Sequence, residues 1–131
     1  MLKIPTPLSD ELEGVIHETI GCCITVHRAL GPGLFEAVYV RAICLEFEAA
    51  GLPFELEKQY VVYYRGKCLC RQRLDLVVSD RVALEVKAVE HLAPVHHAQL
   101  LSYLRVSGLR VGLLMNFNVP ILQDGLKRIV L

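Results

Sequence analysis

The sequence predicts an α/β (α+β) domain, a mixed central sheet flanked by helices in the order ααβββαβ. Three observations predict it. Two helical stretches open the chain, the first amphipathic and the second apolar nearly all round, the apolar period changes to two from Phe54, and a further helical stretch precedes an apolar run, Arg110 to Phe117. No internal repeat, low-complexity tract or linker-like stretch divides the chain, so residues 1–131 are expected to form a single domain.

The elements follow from local pattern. Asp10 and Glu13 have capping-box spacing, with Asp10 as the expected cap. Beyond them Leu12, Val15, Ile16, Thr19, Ile20, Cys23, Val26 and Leu30 recur at three- and four-residue steps, which builds an amphipathic helix ending at Gly31-Pro32-Gly33. A second helix is expected from about Leu34 to Ala50, stopping at Gly51. Val38, Tyr39, Ala42, Ile43, Leu45 and Phe47 make it apolar nearly all round, so burial on several sides is expected. Phe54 to Tyr64 alternates and is rich in β-branched and aromatic residues, as a strand requires. Arg65-Gly66-Lys67 is a turn, followed by strands at about Cys68–Val78 and Val82–Val89 around Ser79-Asp80-Arg81. Pro94 suits the first turn of a helix that ends at Gly108. Arg110 to Phe117 suits a buried strand, and Leu126 to Leu131 fits a short edge strand or a helix.

Composition narrows the function classes. Fourteen Lys and Arg balance fourteen Asp and Glu, which excludes both a nucleic-acid binder held by bulk charge and an acidic disordered tail. Hydrophobic residues reach 53% and mean hydropathy is +0.42, enough for a core and for a self-association face, so a homodimer is expected. Charges interrupt every candidate membrane span, and Val111 to Met115 is too short to cross a bilayer. Met1 to Asp10 has no apolar core of the kind a secretory signal needs. Five cysteines, an odd number, point to reduced thiols and a cytoplasmic location.

The chemistry concentrates in Arg73-Leu74-Asp75-Leu76-Val77-Val78, the turn, and Val82-Ala83-Leu84-Glu85-Val86-Lys87. Leu74, Leu76, Val78, Val82, Leu84 and Val86 are expected on one face. A three-residue loop that allows this pairs 78 with 82 and 76 with 84, so Asp75 falls opposite Glu85 and Arg73 opposite Lys87. Opposed side chains have β-carbons ~5 Å apart, where like charges repel. Two carboxylates so placed suit a hard divalent cation, and Lys87 shares their face by alternation. The same four charges could equally form a solvated surface quartet, Asp75 with Lys87 and Glu85 with Arg73. The next helix carries His96, Gln99 and Tyr103 on one stripe, which read alone is a half-buried polar seam.

Other candidates are weaker. Cys68-x-Cys70 is expected to put both sulfurs on one strand face, but no second pair has zinc or iron–sulfur spacing. His17, His27 and His91 lack a partner motif, and His97 points off the Gln99 stripe. Gly31-Pro32-Gly33 follows a helix rather than a strand, which argues against a phosphate-cradling loop.

Asp75, then Glu85-Val86-Lys87, then Gln99-Leu-Leu-Ser-Tyr103 resembles the PD-(D/E)XK nuclease superfamily, with the Gln-x-x-x-Tyr helix of its RecB-like branch. Gly33-Leu34-Phe35-Glu36-Ala37-Val38-Tyr39 is similar to the signature of the small GxxExxY family within it, and Gly112 to Phe117 extends the likeness. Leu74 stands where the superfamily name has proline. The resemblance implies a restriction-endonuclease-like core and a metal-dependent nuclease acting on nucleic acid, DNA above RNA. It implies that Asp75, Glu85 and the Val86 carbonyl hold Mg²⁺ or Mn²⁺, that Glu36 adds to that shell directly or through water, and that Lys87 positions the attacking water. Gln99, Tyr103 and His96 would contact substrate phosphate or the residues around the metal, and Tyr39 would pack or support those residues rather than react. The alternative from another class is a catalytically silent, dimeric nucleic-acid- or protein-binding module on the same fold.

Overall fold

The structure, a computed structural model, describes residues 7–131. Its elements are α1 (Asp10–Leu30), α2 (Glu36–Ala50), β1 (Phe54–Tyr64), β2 (Lys67–Val78), β3 (Val82–Lys87), α3 (Pro94–Ser107), β4 (Val111–Asn116), a 3₁₀ turn (Leu122–Gly125) and β5 (Leu126–Val130). The five strands make one sheet in the order β1-β2-β3-β4-β5, with β3 and β4 parallel and the other neighbours antiparallel. The mixed sheet and its flanking helices match the α+β architecture read from the sequence. The C-terminal segment is the edge strand of its two expected forms.

Helices cover both faces. Leu76, Val78, Leu84, Val86, Leu113 and Met115 pack with α1 and α2, whereas Leu74, Val77, Ala83 and Leu114 pack with Leu100 and Leu104 of α3. β4 is buried along its whole length because its alternate residues serve the two layers. Gly112 lets α3 approach, since a β-carbon there would lie 3.0 Å from the Leu100 side chain.

Several expectations need correction. Ser9, not Asp10, caps α1: its Oγ accepts from the Leu12 N–H at 3.1 Å. Glu13 is thereby free to turn outward and form a two-pronged ion pair with Arg128 of β5, one contact being 2.9 Å. α2 begins at Glu36 and buries a single stripe, Tyr39, Ile43 and Phe47, worth roughly 1.5–3 kcal/mol per side chain. Val38 and Leu45 are exposed, as are Leu34 and Phe35 before the helix, because only one sheet face lies beneath α2. β3 ends at Lys87 rather than Val89. Cys68 and Cys70 do not share a face: a register shift between Val62 and Tyr63 pairs them with those consecutive β1 residues, which point to opposite sides. Leu74 also leaves the face of Leu76 and Val78, for a reason that lies in the site itself.

Candidate active site

The β2–β3 hairpin has the expected register, Val78↔Val82, Val77↔Ala83 and Leu76↔Leu84, and there its main-chain ladder stops. The next rungs are made by side chains. Asp75 N–H donates to Glu85 Oε1 at 2.9 Å, and Val86 N–H donates to Asp75 Oδ2 at 2.9 Å. The two carboxylates therefore stand in the gap where β2 leaves β3, while β3 stays paired with β4 as far as Lys87↔Asn116. Across β2, Glu57 is skipped in the β1 register and has φ +55°. This local break in alternation sends Leu74 to the α3 layer although Leu76 faces α1 and α2. It also excludes a solvated quartet: Glu85 is buried, and Arg73 pairs weakly with Glu57 at 3.7 Å rather than with Glu85.

The pair is electrostatically loaded. Burial, then repulsion from Asp75, pushes the Glu85 carboxyl up from 4.5 to about 7, against the opposing pull of the Asp75 N–H and the Lys87 charge. Burial also raises Asp75, countered by the Val86 N–H, Lys87 and Arg73. Each carboxylate has one oxygen bound to main chain and, among the described residues, no hydrogen bond to the other. Lys87 is the cation felt by both.

The remaining expected residues divide. Tyr103 is half-buried on α3, its phenol pushed up first by burial and then by the charges of Glu85 and Asp75. Gln99, one turn earlier, is exposed and makes no hydrogen bond among the described residues. His96 caps its own helix, its Nδ1 accepting from the Ala93 N–H at 3.0 Å while its main-chain N–H donates back to the Ala93 carbonyl. Glu36, the first residue of α2, lines a cavity of about 330 Å³ with Arg41, Glu57, Arg73 and Asp75. No group of three or more His, Cys, Asp and Glu side chains converges as a metal cluster among the described residues.

The segment before α2 explains how Glu36 is aimed. Gly33 has φ +102°, open to glycine and strained for other residues. The buried Tyr39 hydroxyl donates to the Gly31 carbonyl at 2.6 Å and accepts from the Leu34 N–H at 3.1 Å, and its ring stacks on Phe117 at 4.6 Å. Tyr39 thus packs, as expected, and pins the loop from which Glu36 starts.

Two positioning residues escaped the sequence reading. Asn116 is buried, its Oδ1 accepting from Val89 N–H at 3.0 Å and its Nδ2 donating to Val89 O at 2.8 Å, so it clasps the chain leaving Lys87. The only hint was a polar residue within an apolar run. His27 is buried, with Nε2 3.1 Å from the Phe117 carbonyl and 2.8 Å from that of Val119, and no short-range pattern announces it. His27 and Arg28 line a larger cavity, about 450 Å³, that contains neither carboxylate.

The family model of the PD-(D/E)XK nuclease superfamily matches residues 13–129. No curated protein and no solved structure is similar enough to count as a match.

Proposed function

This chain belongs to the PD-(D/E)XK nuclease superfamily, and from that premise we propose that it is a divalent-metal-dependent nuclease that hydrolyses phosphodiester bonds, with DNA as substrate. The observation that carries the reading is the Asp75–Glu85 pair, two adjoining, largely buried carboxylates of which Glu85 feels the repulsion of Asp75, with Lys87 the cation that acts on both.

The residues fit a hard divalent cation. Asp75 and Glu85 each keep an oxygen free of hydrogen bonds among the described residues, and the Val86 carbonyl follows directly in the chain. Glu36 faces Asp75 across the cavity and would act through water. Mg²⁺ or Mn²⁺ bound there would polarise the scissile phosphate and lower the pKa of an attacking water. Lys87 holds that water and offsets charge developing on the phosphate, and the Tyr103 hydroxyl orients a phosphate oxygen. Gln99, exposed on the same helix stripe, is placed to meet substrate rather than protein.

Finer assignments rest on the same geometry. The GxxExxY signature is physically coherent here: Gly33 supplies the positive φ, Glu36 faces the cavity and Tyr39 fixes the loop between them. The Gln99-x-x-x-Tyr103 helix supports the RecB-like branch. Exposed Leu34, Phe35, Val38 and Leu45 support a homodimer through the outer side of α2. Five free thiols support action in the cytoplasm.

The test is cleavage of single-stranded, duplex and branched DNA, and of RNA, with Mg²⁺ and Mn²⁺ in turn. Lys87→Ala abolishes cleavage while costing at most ~1 kcal/mol of stability, as for a partly exposed cation. Wild-type protein that cuts none of these with metal bound would leave the catalytically silent, dimeric binding module as the function of this fold.

A further inference from the structure

Between Lys58 and Leu74 lie five of the chain's fourteen Lys and Arg residues and none of its fourteen Asp and Glu residues. In a chain of zero net charge, this gathers cationic charge on one hairpin, β1–β2. Two of the five are engaged: Lys58 with Glu55 at 3.1 Å and Asp80 at 3.8 Å, and Arg73 with Glu57 at 3.7 Å. Arg65, Lys67 and Arg71 are exposed and make no ion pair among the described residues. The turn itself, Arg65 (φ +51°) and Gly66 (φ +76°), has the two positive φ values of a tight hairpin that continues the strand twist, so the arm is a defined structure rather than a loose loop.

Register decides which of these side chains face the carboxylates. Gln59 pairs with Arg73 and Val61 with Arg71, so Arg71 lies on the side from which Arg73 lines the cavity shared by Asp75 and Glu36. Alternate residues on a strand are about 7 Å apart, comparable to the spacing of successive phosphates along a single nucleic-acid strand. Tyr63, two residues beyond Val61, continues the same side of β1, and it is 67% exposed. Reading outward from Asp75, the face presents Arg73, Arg71 and then an open aromatic ring.

We propose that this side of the β1–β2 hairpin is the track along which a single strand of DNA enters the site, Arg73 and Arg71 holding consecutive phosphates and Tyr63 stacking an unpaired base. The proposal rests on the nuclease reading above and gives it a substrate class. Duplex DNA keeps its bases stacked within the helix, out of reach of a side-chain ring, whereas a single strand offers both phosphates and base faces. A protein strand added to the β1 edge would satisfy main-chain groups but has no need of an arginine-bearing face.

The experiment measures binding of fluorescein-labelled oligothymidylate, and of a duplex of equal length, to the full chain in EDTA, so that cleavage does not intervene. The expected result is tighter binding to the single strand, with log K falling against log salt with a slope of about −1.4 for the two phosphates. Tyr63→Ala and Arg71→Gln each weaken binding about tenfold, and Arg71→Gln alone reduces the salt slope, by about 0.7. Metal-dependent hydrolysis of bis(p-nitrophenyl) phosphate, too small to reach the hairpin, is unchanged in both variants. Equal or tighter binding to duplex, or wild-type affinity in both variants, would overturn the proposal. Failure of the wild type to hydrolyse the small diester would instead overturn the nuclease reading, while the binding measurements still decide the hairpin.

Discussion

Replacing Glu85 by glutamine removes one of two facing charges and keeps an oxygen to accept from the Asp75 N–H. The carboxyl titrates at about 7 in the folded chain against 4.5 in its ordinary state. At about 1.4 kcal/mol per pH unit, that difference is worth roughly 3 kcal/mol. The sign follows from proton binding. Below pH 4.5 the group is protonated whether the chain is folded or not, and its ionisation costs nothing. Between 4.5 and about 7 the unfolded chain releases the proton and the folded chain keeps it, so stability falls as pH rises and the full cost is reached above 7. In EDTA, Glu85→Gln should therefore exceed wild type by only about 1 kcal/mol near pH 5 and by roughly 3 kcal/mol at pH 8, the latter about 10 °C in melting temperature for a chain of this size. Thermal unfolding of both proteins at the two pH values measures the difference. An offset that is the same at pH 5 and pH 8 would show that Glu85 is not strained by its surroundings and would refute the electrostatic account of the site.

Added Mg²⁺ or Mn²⁺ should raise the melting temperature of wild type by binding the folded state, and Asp75→Asn should lose most of that gain; equal shifts in both proteins would place the cation elsewhere. Gly125→Ala should destabilise by more than ~2 kcal/mol, because its β-carbon would lie 2.2 Å from the Asn116 carbonyl oxygen, and urea unfolding reads the loss. A near-neutral Gly125→Ala would mean that this turn relaxes freely without disturbing Asn116.

Much of the fold was legible because its signals are local. Helical periodicity, the Ser79–Arg81 turn and the shared register of Leu76 with Leu84 follow from residues close in sequence, and that register alone brings Asp75 opposite Glu85. Where the reading failed, the deciding partner was distant or the backbone irregular. Ser9 outcompeted Asp10 as cap, and Glu13 found Arg128, 115 residues away. Leu74 and the Cys68–Cys70 pair depart from alternation because it breaks at a positive φ in Glu57 and at a register shift that leaves Leu69 of β2 without a β1 partner, and neither position has a glycine to announce it. α2 seemed buried all round because its apolar count does not reveal how many neighbours it meets. His96 belonged to the Gln99 stripe by spacing, yet its ring was drawn to an uncapped N–H three residues back.

The carboxylates also serve as rungs. Since Asp75 and Glu85 complete the hydrogen bonding of the Asp75 and Val86 amides, the reactive groups cannot lose their arrangement unless the centre of the sheet opens. Mobile active sites open locally, well before the protein unfolds, whereas this one is tied to the most protected part of the chain. The amides of Asp75 and Val86 should thus exchange with solvent deuterons nearly as slowly as those of β4, and heating should extinguish site geometry and tertiary structure in a single step.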